Sequence, residues 1–159
     1  MFNFNKKNNN PNEIKAIISG NIIPLSQVND PVFAKKMLGE GLAIEPNEEI
    51  VASPCDGIIS MIYPTLHAIG IRTSNDIEIL IHIGIDTVNL NGSGFKKYVN
   101  IGDHVKVGDK LIKFNSYELT KKNYDLTTII IFPKCSKSIS FLNNDVVVRG
   151  KTTIAIIND

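Results

Sequence analysis

The sequence predicts an all-β protein: an antiparallel β-sandwich or flattened barrel with an internal repeat and minimal helix. Three observations carry this. Short clusters rich in Ile and Val are separated by frequent turn signals, such as Ser19-Gly20-Asn21, Ser74-Asn75-Asp76, Asn91-Gly92-Ser93-Gly94 and Gly108-Asp109. The segment I-E-I-L-I-H-I-G-I-D, residues 77–86, alternates with strict period two. A strand-turn-strand pattern occurs twice: residues 16–23 echo 52–59, and residues 105–112 echo 147–154.

Composition bounds the rest. A chain of 159 residues with 43% hydrophobic and 21% charged residues fits one soluble domain with its own core, not a disordered chain. A formal net charge of +1 gives no support for a nucleic-acid groove or an anionic membrane surface. The 26 Ile, 18 Asn and 15 Lys against two Arg read as nucleotide bias rather than functional demand. No apolar run approaches the roughly 20 residues of a membrane helix. The N-terminus lacks a signal-peptide pattern, so a cytoplasmic location is expected. Cys55 and Cys135 stand far apart without C-x-x-C spacing, which excludes a zinc knuckle and suits reduced, structural thiols.

Taken in order, residues 1–12 are polar, Asn-rich and carry Pro11, and are expected to form a disordered tail. Residues 13–159 are expected to form a single domain. Only two helical turns are predicted, at residues 31–38 and 117–123. In the alternating segment, Ile77, Ile79, Ile81, Ile83 and Ile85 form one apolar face, and Glu78, Leu80, His82, Gly84 and Asp86 form the other. His82 therefore points away from the Ile face, beside the open space left by Gly84. A two-residue turn at Ser74-Asn75 would pair Thr73 with Asp76 and put His67 directly opposite His82. An odd-length loop would match the apolar faces better and move His67 to the other face, so spacing alone leaves the register open. If the strand stays extended, Asp86 lies about 13 Å from His82, too far to orient it. His104 lies in a turn-rich loop and is assigned no role.

The block H-I-G-I-D-T-V-N-L-N-G-S-G-F, residues 82–95, strongly resembles the glucose-type IIA component of the bacterial phosphoenolpyruvate-dependent sugar phosphotransferase system (PTS). So do residues 30–44 (DPVFAKKMLGEGLAI), 54–57 (PCDG), 65–67 (TLH) and 102–109 (GDHVKVGD), in family order over roughly residues 14–157. The resemblance implies an antiparallel sandwich of duplicated hybrid-motif type. It implies a phosphocarrier in which His82 takes a phosphoryl group from the phosphohistidine of the small carrier HPr. His82 would then pass it to a cysteine of the IIB domain of a IIBC sugar permease. His67 would support the transfer, with Thr65 its hydrogen-bonding neighbour. A neutral imidazole is nucleophilic near pH 7, provided its other nitrogen is held as N–H. The Gly84 carbonyl is the expected acceptor of that proton, and His67 the expected donor to the phosphoryl oxygens. No metal or cofactor is needed in this scheme.

By the same match, Val32, Phe33, Met37, Leu38, Tyr63, Leu80 and Val88 form an apolar docking face that excludes water, with Asp30 and Asp86 at its rim. Leu66 stands where family members often carry a polar residue, and Tyr63 and Leu80 replace common Phe positions. The tail lacks the amphipathic helix of some relatives, and no permease sequence is attached, so a free-standing component is expected. Two other chemistries fit worse. A LytM-type zinc peptidase requires a His-x-His pair, and a biotinyl or lipoyl carrier requires a modifiable Lys at a hairpin tip; this chain has neither. A non-catalytic binding protein on the same scaffold is the remaining alternative.

Overall fold

The computed structural model describes residues 10–133 and 135–159. Residues 1–9, most of the expected tail, lie outside the described residues. From Asn12 onward the chain is tied into the domain, since the Asn12 carbonyl accepts from the Ile157 N–H at 2.9 Å.

Among the described residues, fourteen short strands and two short α-helices follow in order: β1 (Glu13–Lys15), β2 (Gly20–Ile23), α1 (Pro31–Ala34), β3 (Glu40–Pro46), β4 (Ile50–Ala52), β5 (Gly57–Ile62), β6 (Ala68–Thr73), β7 (Glu78–Ile83), β8 (Phe95–Lys97), β9 (His104–Val105), β10 (Lys110–Phe114), α2 (Ser116–Lys121), β11 (Thr128–Phe132), β12 (Ile139–Phe141), β13 (Val146–Val147) and β14 (Thr153–Ile157). They form one antiparallel sheet of eight strands, ordered β13-β2-β3-β11-β7-β6-β5-β9, and two three-stranded sheets, β1-β14-β12 and β4-β10-β8. The result is a sandwich, and no closed barrel is found among the described residues.

The strand order repeats itself. β13-β2-β3-β11 corresponds to β9-β5-β6-β7, and the halves meet where β11 pairs with β7. The pairing of Gly20 with Val147 matches that of Gly57 with Val105. The Gly150 N–H donates to the Ala16 carbonyl as the Gly108 N–H donates to that of Ser53. The second sequence echo therefore holds in register, whereas the first is displaced by one residue: Gly20 corresponds to Gly57, not to Asp56.

Alternation places the core. Ile77, Ile79, Ile81 and Ile83 of the Ile segment are buried in the main cluster together with Ile14, Ile44, Ile69, Leu111 and Phe114. A second, smaller cluster of Leu25, Val28, Phe33, Ala43, Ile85, Ile129 and Ile131 forms beside the chain that joins β2 to β3. β11 is buried along its whole length, with Ile130 in the first cluster and Ile129 and Ile131 in the second. That accounts for its unbroken apolar run. Ile85 is the exception to the predicted face. The strand ends at Ile83, Gly84 turns at φ +72°, and Ile85 crosses to the second cluster.

The helices are shorter than expected. The Asp30 carboxylate caps α1, accepting from the Val32 N–H at 2.9 Å, and Pro31 opens it. Left-handed Lys36 then ends the segment predicted to run to residue 38. Asn115 caps α2 by accepting from the Glu118 N–H, and left-handed Asn123 follows it. Among the described residues, no helix is long and apolar enough to cross a membrane. Burial and the adjacent Asp56 push the Cys55 thiol up to about 12, so it is an inert core group.

Candidate functional site

Two histidine rings meet at the surface of the large sheet, with centroids 5.0 Å apart and planes nearly perpendicular at 80°. His82 projects from β7 on the face opposite the main core. Its strand partners are Ala68 on β6 and Ile129 on β11. The predicted direct pairing with His67 is therefore displaced by one residue. The hairpin loop has three residues, Ser74, Asn75 and Asp76, and Thr73 faces Ile77 rather than Asp76. The odd length matches Ile to Ile across β6 and β7, as the core requires.

His67 still reaches His82 because it precedes β6. In the preceding turn the Leu66 N–H donates to the Tyr63 carbonyl, and Leu66 takes a left-handed conformation at φ +59°. Asn and Asp tolerate that conformation better than Leu does. The His67 carbonyl accepts from the Ile83 N–H at 2.7 Å, which locks the turn to the end of β7.

Each ring is held by its Nδ1. His82 Nδ1 lies 2.8 Å from the Gly84 carbonyl oxygen. A carbonyl only accepts, so Nδ1 carries the proton and Nε2 keeps its lone pair. His67 Nδ1 lies 2.7 Å from Thr65 Oγ1. If the threonine hydroxyl donates, His67 carries its proton on Nε2. Among the described residues, neither Nε2 has a hydrogen-bond partner.

The surroundings keep both rings neutral. His67 is only 5% exposed, and burial lowers its affinity for a proton. For His82, burial first and the proximity of His67 second bring the pKa down to about 4. The Gly84 hydrogen bond and the charges of Asp30 and Asp86 oppose this and are outweighed. Asp86 is thus within electrostatic reach of His82. The 13 Å of an extended strand does not apply, because the chain turns at Gly84 and again at Asp86, φ +59°.

The expected docking residues divide into three groups. Val32, Met37, Leu38, Tyr63 and Val88 are exposed, Met37 at 69%. Leu80 is half-buried against the second cluster. Phe33 was expected on the face but is only 4% exposed; its ring sits 4.8 Å from that of His82, centroid to centroid. It is a backing for the histidine, because α1 turns it inward while Val32 faces out. Tyr63 lies 5.3 Å from the His67 ring in the same measure. Among the described residues, concavities of 370 to 590 Å³ lie elsewhere on the molecule, and neither histidine lines them. The exposed apolar side chains of Val32, Met37, Leu38, Tyr63 and Val88 suit contact with a protein partner.

Sequence reasoning missed two supports of this site, Thr87 and Asp125. Thr87 stands within the matched block as an ordinary hydroxyl residue. Asp125 comes from the distant loop between α2 and β11, and no local pattern marks it.

A β-sandwich with a repeated strand order presents two adjoining histidines on one face of its large sheet, and comparison with known proteins identifies the family. The model of the family "phosphoenolpyruvate-dependent sugar phosphotransferase system, EIIA 1" matches residues 12–138, and the chain belongs to that family. It is 50% identical over 131 residues to the "PTS system glucose-specific EIIA component" of Oceanobacillus iheyensis, covering 80% of this chain and 79% of the relative. To the component of the same name from Staphylococcus aureus it is 39% identical over 143 residues, covering 89% and 86%. The solved glucose permease IIA from Mycoplasma capricolum matches with a TM-score of 0.82 and 36% identity, over 91% of this chain and 94% of that one. The protein is accordingly a phosphotransferase component, a phosphocarrier in sugar uptake.

Proposed function

We propose that His82 Nε2 is the phosphoacceptor, that HPr is the donor, and that a IIB cysteine of a sugar permease is the acceptor. The observation that carries this reading is the 2.8 Å contact of His82 Nδ1 with the Gly84 carbonyl, which leaves Nε2 as the nucleophile. Its lone pair attacks the phosphorus of phospho-HPr. The new Nε2–P bond forms as the P–N bond to HPr breaks, and that electron pair returns to the HPr imidazole. The Nδ1 proton stays on His82, donated to the Gly84 carbonyl, throughout. In the onward step the IIB thiolate attacks phosphorus, an S–P bond forms, and the Nε2–P electron pair returns to His82.

His67 serves as donor to the phosphoryl oxygens, with Thr65 holding its tautomer through Nδ1. Val32, Met37, Leu38, Tyr63, Leu80 and Val88 make the apolar contact with both partners, and Phe33 supports it from below. Asp30 and Asp86 attract basic residues of HPr at the rim. A cytoplasmic location follows from these partners.

Phosphoenolpyruvate, enzyme I, a matched HPr and this protein are mixed, and intact mass is read at neutral and acidic pH. Wild type is expected to gain one acid-labile phosphoryl group and His82→Ala none. His67→Ala is expected to keep the adduct but lose onward transfer to IIB. No adduct on wild type would leave a binding protein on the same scaffold.

A further inference from the structure

The peptide whose carbonyl orients His82 is itself held from outside the motif. Gly84 C=O and Ile85 N–H belong to one planar peptide unit, so fixing one end fixes the direction of the other. The Ile85 N–H donates to the Asp125 carbonyl at 2.9 Å, and the Gly84 carbonyl on the opposite edge meets His82 Nδ1. Asp125 is held in turn by its own carboxylate, whose Oδ1 accepts from the Thr127 N–H at 2.9 Å and from the Thr127 hydroxyl at 2.7 Å.

The preceding peptide is fixed from the other side. The buried Thr87 hydroxyl donates to the Ile83 carbonyl. The Thr87 methyl closes on Gly84, where a Cβ would come within 2.6 Å of Cγ2. The Ile83 N–H, meanwhile, donates to the His67 carbonyl. The two peptide units around Gly84 are therefore held by the Thr87 hydroxyl and by the Asp125 main-chain carbonyl, neither of which belongs to the reacting histidines.

We propose that Thr87 is a positioning residue, seconded by the carboxylate of Asp125, and that together they aim the Gly84 carbonyl and so hold His82 in its Nδ1–H tautomer. The consequence for phosphoryl transfer rests on the reading of His82 given above. The tautomer itself does not. Without the Thr87 hydroxyl the Ile83 carbonyl turns toward another donor, the Gly84 carbonyl moves off Nδ1, and the proton is free to shift to Nε2, where it blocks attack.

The test is ¹⁵N NMR of histidine-labelled, unphosphorylated protein at neutral pH, comparing wild type with Thr87→Val, Thr87→Ser and Asp125→Ala. Phosphorylation rates by phospho-HPr are measured on the same samples. Wild type and Thr87→Ser are expected to show protonated Nδ1 and equal rates. Thr87→Val is expected to populate the Nε2–H form and to accept phosphate at least about tenfold more slowly. Asp125 is exposed, so Asp125→Ala reports in the same direction even if Thr87→Val does not fold. Unchanged tautomers in Thr87→Val and Asp125→Ala would overturn the proposal, whatever their melting temperatures. Failure of wild type to accept phosphate would overturn the phosphocarrier reading of His82 and leave the tautomer comparison decisive for Thr87.

Discussion

His82 is a histidine whose environment disfavours its charged form. Burial and His67 bring its pKa from the usual 6.5 down to about 4. The folded value lies below the unfolded one. The neutral ring therefore contributes stability above about pH 6.5, and this contribution is lost as pH falls through 4. The expected outcome is a ¹⁵N titration midpoint near 4, with a phosphorylation rate insensitive to His82 protonation from about pH 6 to pH 8. His67→Gln removes the neighbouring ring that, once protonated in acid, opposes charge on His82, so the midpoint should rise, and NMR titration of the variant checks the direction. The pair itself was only half legible beforehand. Alternation along residues 77–85 put His82 on the outer face, because period two is a local property of an extended chain. The approach of His67 depends on a left-handed Leu66 and a three-residue loop, and no local preference of those residues announces either.

The end of β7 shows how one element converts sequence into chemistry. Gly84 stops the strand, sends Ile85 to the second cluster, and turns its own carbonyl back to His82. No other residue suits that position. At φ +72° a side chain is strained, and its Cβ would lie 2.6 Å from Thr87 Cγ2 and 3.0 Å from the Asp125 carbonyl oxygen. Gly84→Ala is expected to cost about 1–3 kcal/mol of stability, read by denaturant unfolding, and to lower phosphoryl acceptance as well. Sequence reading treated Gly84 as open space beside the histidine. The structure fills that space with Thr87, because the chain folds back through a turn of 3₁₀ helix over Thr87–Leu90.

Across the whole molecule the duplication builds the frame that presents this turn. The halves join along β7 and β11, so His82 sits beside the seam, against Ile129 of the other half. A second seam lies where Gly150 meets Gly108, and a Cβ at Gly150 would come 3.3 Å from the Gly108 Cα. Gly108 has nothing within 4 Å of its own Cβ position, although both glycines have positive φ. Gly150→Ala should therefore destabilise more than Gly108→Ala, for which backbone strain alone costs about 1 kcal/mol. Equilibrium unfolding of the two variants checks the order. The outer edges of the large sheet, β13 and β9, are only two residues long, which limits edge-to-edge association.

The amino-acid sequence by itself determined the all-β class, the outward face of His82, the repeat and the family, all of which rest on local periodicity or on ordered motifs. Tertiary structure decided the rest. It chose the strand register, brought His67 to His82 from outside the ladder, and turned Phe33 inward beneath the ring. It also set Asp125 behind Gly84, about 40 positions away along the chain. These are contacts between distant segments, selected by the burial of Ile faces and the satisfaction of peptide groups throughout the fold, and no short window of sequence contains that information.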